Sequence, residues 1–243
     1  MDILRLIITA SVGYLVGSIS FTRIILALKA PGTNVENIQE TLPGSKETFT
    51  SNSTGSSAVM HQLGANWGGI TMLLDMLKAF IPTLVFRLVF PEEYYYFIVA
   101  IFTMIGHNYP LYYKFKGGRG LAAMMGGFLA FDPIGIIVCS ILGMVLGILS
   151  GQVVLIRWIG MFLMIPWAAF FHPGWEPPVY VTIAVGIFWF AMRDELKRFL
   201  ELSQENKITD QKIVAEFMGM GSVYGLVERF SIPSLIKRIK TKK

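Results

Sequence analysis

Lys116 and Arg119 stand three residues apart in a run that also holds Gly117, Gly118 and Gly120. That combination suits the grip of a phosphoryl group, with lysine supplying a point charge and arginine a planar fork of donors. Glycines without a Cβ let backbone amides close on an anion, and the apolar run Leu121 to Leu129 opens a helix whose first N–H groups favour negative charge. His107 and Asn108 lie just upstream. His107 is placed for orienting or proton-transfer work, and equally for a structural role capping the preceding apolar segment beside Asn108. The same basic residues would also serve as topology determinants beside membrane helices.

A second donor cluster runs from Thr50 through Ser51, Asn52, Ser53, Thr54, Gly55, Ser56 and Ser57, immediately before Ala58 to Leu63. Hydroxyl and amide donors at this density suit a second anion cradle, and a flexible Ser/Thr linker is the plain alternative. Asn52-Ser53-Thr54 is also a glycosylation sequon, without meaning in a cytoplasmic loop. Asp75 and Lys78, three residues apart in an apolar stretch, can pair on one helical face and so lower the cost of carrying charge into a membrane.

The elements that hold these residues are too apolar for water. Of the 243 residues 53% are hydrophobic and 15% charged, with mean hydropathy +0.57, which points to a polytopic membrane protein. A formal charge of +5 and a pI of about 9.3 are distributed for topology and anionic headgroups, against nucleic acid as a partner. The single Cys139 excludes an intrachain disulfide and sits in an apolar run as a packed thiol.

The first span is Ile3 to Leu28, long enough to cross roughly 30 Å of hydrocarbon at 1.5 Å per residue. It reads as a span and not a cleaved signal, and Gly13, Gly17 and Ser18 supply a small face for close helix packing. Ala30 to Asn66 is a long polar loop without a sustained apolar period, whose part up to Thr48 is a variable excursion. Further spans follow at Gly68 to Phe90, Tyr94 to Ile105, a short or tilted Leu121 to Phe131, Ile134 to Leu149, Val153 to Phe171 and Val179 to Met192. The predicted class is an all-α integral membrane protein with about seven transmembrane helices and cytoplasmic polar loops. Lys29, Lys46, Lys114, Lys116, Arg119, Arg157, Arg193, Lys197 and Arg198 fall after odd-numbered spans, which puts the N-terminus outside and the C-terminus in the cytoplasm.

Past Met192, the charged segment from Arg193 to Leu200 continues the last helix, its charges either lining a site or meeting water. Residues 1–205 form the membrane domain and 206–243 a cytoplasmic tail. Within that tail Ile232, Leu235, Ile236 and Ile239 alternate with Lys237, Arg238, Lys240, Lys242 and Lys243 as a basic amphipathic helix on anionic lipid.

From the first span to Glu205 the chain resembles the bacterial membrane acyl-phosphate:glycerol-3-phosphate acyltransferases. The most specific match is Gly106-His107-Asn108-Tyr109-Pro110 running into Lys114-Phe115-Lys116-Gly117-Gly118-Arg119-Gly120-Leu121-Ala122, where the family reads Gly-His-Asn and then Lys-Phe-Lys-Gly-Gly-Lys-Gly-Val-Ala-Thr. Tyr14 to Ile19 and Leu73 to Lys78 also match. In the first loop this chain keeps Ser51, Gly55 and Val59 but has Ser57 for a Thr, Ala58 for an Asn and His61 for an Arg. Arg119 stands for a Lys and Ala123 for a Thr. Where the family has His-Arg-x-Asn and a later Glu, this chain has Met192, Arg193, Asp194, Glu195 and, further on, Gln204.

The resemblance implies acyl transfer from acyl phosphate to glycerol 3-phosphate at the inner (plasma) membrane, in phospholipid biosynthesis, with membrane lipids around it and no metal or cofactor. An acyl phosphate is already activated, so the protein needs two phosphate cradles and orientation rather than a Ser or Cys nucleophile. Ser51, Gly55, Ser56, Ser57 and His61 would form one cradle and Gly117, Gly118, Arg119 and Gly120 the other. His107 and Lys116 would do the catalytic work, with Asn108, Arg193 and Glu195 in support. The altered loops leave a rival class: a homologue that binds a phosphorylated lipid or precursor without catalysis. A small transporter is disfavoured by the absence of an internal repeat.

Overall fold

Apolar runs broken by glycine, serine and proline fold into helices with a single small sheet among the described residues. The computed structural model describes residues 2–33, 35, 38–41, 48–51, 54–205, 210–217 and 220–240. In order these form α1 (Ile3–Gly17), α2 (Phe21–Lys29), β1 (Ile38–Thr41), β2 (Thr48–Ser51), α3 (Ser56–Leu63), α4 (Ala65–Val89), α5 (Tyr95–Asn108), a 3₁₀ turn (Leu111–Tyr113) and α6 (Leu121–Phe131). Then come α7 (Pro133–Ser150), α8 (Val153–Phe171), α9 (Glu176–Gln204), α10 (Gln211–Phe217), α11 (Gly221–Phe230) and α12 (Ile232–Lys240). The predicted helical class holds apart from β1 and β2, which pair in a two-stranded sheet.

The chain divides into two units, the first being Met1–Glu40, Thr48–Pro133 and Gly174–Met192. Here α1 packs on α5 and α4 on α6. The expected small face of α1 is used: a Cβ on Gly17 would strike the Thr103 carbonyl, and one on Gly106 the Tyr14 carbonyl. Buried Thr9, Thr71, Thr83 and Thr103 each donate their hydroxyl to the carbonyl four residues back, at 2.7–2.8 Å, so they enter the apolar interior satisfied. The first part of α9 joins through Tyr180, whose ring stacks on Phe97 at 4.3 Å and meets Phe128 and Phe131 edge-on. Arg87 donates to the carbonyls of Ala130 and Phe131 at 2.6 and 2.7 Å, closing the C-terminus of α6.

Two expectations are corrected here. The first span is not one continuous helix: α1 ends at Gly17, and α2 begins afresh behind Ser20, whose Oγ accepts from Arg23 N at 3.4 Å. A serine that can cap makes the restart inexpensive. The polar stretch 30–66 is not all loop either. Helix α3 lies within it, sharing an apolar cluster with Ile25 and Leu26 of α2 through Val59. So short a helix has little stability alone and forms because its apolar side is covered. Gly64, at φ +86°, makes the left-handed link to α4 that a Cβ would disfavour.

The second unit comprises Thr41–Glu47, Ile134–Pro173 and Arg193–Lys243. Helices α7 and α8 are close enough that a Cβ on Gly143 would lie 2.6 Å from Gly160 N. As predicted, the charged segment after Met192 continues the last helix without a break. Among the described residues, Ile3–Lys29, taken across its interruption, and Pro133–Ser150 are long and apolar enough to cross a membrane.

Candidate active site

The last turn of α5 carries His107 and Asn108, both buried. The chain then turns through Leu111–Tyr113 and reverses at Lys114 and Phe115, which sit at φ +53° and +61°. Left-handed non-glycine residues cost of order 1–3 kcal/mol each, so surrounding contacts hold this shape. The returning segment lies over the end of α5, with Gly118 N donating to the His107 carbonyl at 3.1 Å. A Cβ on Gly118 would run into His107 Nε2, and one on Gly117 into the His107 carbonyl. Gly120, at φ +83°, rests against the Asn108 amide and leads into α6 with no side chain capping the helix. Neither Oδ1 nor Nδ2 of Asn108 has a hydrogen-bond partner among the described residues. The uncapped N–H groups of α6 thus open beside a buried amide.

Beneath His107 lies a charged group carried by α4. Lys78 Nζ is 2.9 Å from Asp75 Oδ1, close enough for an ion pair though not aligned as a hydrogen bond, and both side chains are 3% exposed. His107 Nδ1 faces the same carboxylate oxygen at 3.5 Å. Lys78 also donates to the Ile19 carbonyl at 2.7 Å. That acceptor is available because Ile19 lies in the link between the two helices, where Arg23 N, its partner in an unbroken helix, goes to Ser20 Oγ instead.

The α1–α2 break positions the loop as well. Ser18 Oγ donates to the Tyr14 carbonyl at 2.8 Å and accepts from Leu111 N at 3.2 Å, while the Tyr14 hydroxyl donates to the Tyr109 carbonyl at 2.9 Å. Arg23 donates to the Lys116 carbonyl at 3.3 Å, its guanidinium 4.7 Å from the Tyr113 ring centre. Lys116 extends an exposed side chain, Arg119 a half-buried one. Cations therefore surround the glycine loop, and Asp75 below it is already engaged by Lys78.

Of the residues singled out in the sequence, His107, Asn108, Lys116, Gly117, Gly118, Arg119 and Gly120 come together in this one loop. Gly55 precedes α3, Ser56 and Ser57 begin it, and His61 is exposed on its last turn. Five residues of helix, about 7 Å of rise, separate Ser56 from His61. Thr54 is buried. The Ser51 side chain and all of Asn52 and Ser53 lie outside the described residues, as does Lys46. Arg193 and Glu195 lie on the second-unit portion of α9, where Arg193 Nε is 3.7 Å from Asp194.

Sequence reasoning paired Asp75 with Lys78 but missed that the pair supports His107. It also missed Ser18 and Arg23 as neighbours of the loop and Ile19 as an acceptor for Lys78. Ser18 and Ser20 around Ile19, as potential caps within an apolar run, were the available signal.

A family model described as glycerol-3-phosphate acyltransferase matches residues 7–202. The chain belongs to the glycerol-3-phosphate acyltransferase family. The family member from Pseudothermotoga lettingae is 42% identical over 84 residues, covering 35% of this chain and 42% of that protein. The one from Mycoplasma mycoides subsp. mycoides is 31% identical over 148 residues (58% and 53%) and that from Aquifex aeolicus 33% over 121 residues (49% and 56%). In these matches the chain spans about half the length of its relatives. The fold is similar to that of PlsY, described as an integral membrane glycerol 3-phosphate acyltransferase. The TM-score is 0.67 against its glycerol 3-phosphate form at 23% identity, over 81% of this chain and 92% of that one. The family match includes the glycine loop and α3 and stops before α10.

Proposed function

We propose that this chain is a membrane acyltransferase that moves a fatty acyl group from acyl phosphate to glycerol 3-phosphate. The observation that carries this reading is the glycine loop at the uncapped N-terminus of α6, flanked by Lys116 and Arg119 and laid over Asn108. Phosphate would be held there by backbone N–H groups and the two cations. Lys116 would stabilise charge developing on the acyl phosphate, whereas His107, sealed beneath Gly118, positions the loop. The glycerol hydroxyl oxygen bonds to the acyl carbon as the bond from that carbon to the phosphate oxygen breaks. The hydroxyl proton ends on the released phosphate. Ser51, Gly55, Ser56, Ser57 and His61 are the proposed second cradle.

The membrane setting is supported by outward apolar side chains: Ile3, Leu4, Ile7 and Ile8 on α1 are 51–75% exposed, and α4 and α7 carry similar faces. Apart from the interrupted first segment, the proposed seven crossings follow the apolar helices α4 to α9, with the N-terminus outside and the polar loops cytoplasmic.

Purified protein in lipid nanodiscs, given acyl phosphate and glycerol 3-phosphate, should form lysophosphatidic acid above a heat-killed control. No product from folded protein would overturn the enzyme reading. The exposed His61 where the family has an Arg favours one rival, a phosphate-binding homologue without turnover, whose signature is saturable glycerol 3-phosphate binding without product.

A further inference from the structure

The family match ends at residue 202, yet the chain continues into α10, α11 and α12. These helices return to the α7–α8 turn. Gln211 Oε1 accepts from Val153 N at 3.1 Å, and Gln211 Nε2 donates to Gln152 Oε1 at 3.3 Å. Val214, Ala215 and Val227 are buried. Helix α12 starts against Gly151 in that same turn, where an added Cβ would lie 3.5 Å from Ser231 Cβ and 3.6 Å from Pro233 Cγ. Ser231 accepts from Ser234 N at 3.4 Å, steadying the first turn.

The position matters because α7 is long and apolar enough to span a bilayer and α8 is its partner. Their connecting turn is where that hairpin leaves hydrocarbon, so α12 begins at the depth of the headgroups. It does so with an uncovered apolar edge: Ile232, Leu235 and Ile236 are 53%, 43% and 48% exposed. Their spacing is that of one helical face. The same helix carries Lys237, Arg238 and Lys240 in its sequence and no acidic residue.

We propose that α12 lies in the headgroup layer of the bilayer that α7 and α8 cross, its apolar edge in the acyl boundary, held by anionic phospholipid. A protein partner would also cover an apolar edge. Only a lipid surface explains why that edge starts at the end of a spanning hairpin, on a helix whose sequence has three cations and no anion. The proposal rests on the membrane reading above and not on turnover.

The test uses the full chain in nanodiscs of phosphatidylcholine alone and of phosphatidylcholine mixed with phosphatidylglycerol. With Cys139→Ala as background, a polarity-sensitive fluorophore is placed by Ile236→Cys on the apolar edge or by Lys237→Cys at the next position, one helical step of about 100° round. In anionic discs the label at 236 should shift blue and resist aqueous iodide, while the label at 237 stays quenchable. High salt or zwitterionic lipid should reverse this. Each basic residue near an anionic surface contributes about fivefold to partitioning, so joint Lys237→Glu, Arg238→Glu and Lys240→Glu should weaken partitioning by about a hundredfold or more. Equal quenching at 236 in both lipids overturns the proposal, as does equal protection in detergent, which assigns the edge to protein. Failure of the chain to enter nanodiscs would overturn the membrane reading itself and the proposal with it. Incorporation with an exposed 236 label would sink the proposal alone.

Discussion

Gly118→Ala isolates the steric coupling between the loop and α5. The added Cβ would lie 3.0 and 3.1 Å from Cε1 and Cδ2 of His107 and still nearer Nε2. The ring has little room to retreat, because Asp75 faces its other edge at 3.5 Å and Gly118 N holds the His107 carbonyl at 3.1 Å. Since Gly118 is not at positive φ, the cost is collision rather than backbone strain. Overpacking of this kind costs about 1–3 kcal/mol. Expressed wholly at the site, that is about five- to 150-fold in glycerol 3-phosphate affinity or turnover. The assay is a double-mutant cycle measuring product formation and thermal stability for wild type, Gly118→Ala, His107→Ala and the pair. Removing the imidazole should relieve the clash, giving a coupling of about 1–3 kcal/mol. Strictly additive losses would refute the reasoning, since Gly118 would then matter for some reason other than the ring beneath it.

Asp75→Ala should destabilise the protein by about 3–5 kcal/mol by leaving the buried Lys78 unpaired, whereas Asp75→Leu with Lys78→Met should recover most of the loss. Melting curves that fall equally for both would show that pairing is not what Asp75 contributes. Lys116→Ala should cost about 1.5–3 kcal/mol, about ten- to 150-fold in affinity or rate, and Lys114→Ala much less; equal losses would point to a diffuse topology signal. If α3 belongs to a phosphate cradle, His61→Arg should tighten glycerol 3-phosphate binding by adding a permanent five-donor fork. Unchanged calorimetric titrations would remove His61 from the site. Cysteines replacing Ser45 and Pro173, in the Cys139→Ala background, should react with an impermeant reagent from opposite faces of sealed vesicles, and labelling from one face alone would refute the proposed topology.

Much of the helical layout was legible because apolar runs in this chain are punctuated by strong local signals. Asp132-Pro133 separates α6 from α7, and Ser150-Gly151-Gln152 separates α7 from α8. The glycine loop was legible for a similar reason, since its cations and glycines are contiguous. The small face of α1 could be read because helical register alone puts Gly13 and Gly17 one turn apart. None of this reveals which distant residues meet. Only the tertiary structure brings His107 to Asp75 and carries Lys78 to the Ile19 carbonyl. The division of the first span at Ser18 to Ser20 follows from such partnerships. Its hydropathy is that of one span, but a helix end is tolerable there because Lys78 takes up a freed carbonyl and Leu111 N binds Ser18. Likewise α3 forms from a weakly apolar stretch because α2 and α4 cover Val59. Hydropathy records how readily a segment leaves water, whereas the termination of a helix and the partner of a buried charge depend on groups supplied from elsewhere in the chain.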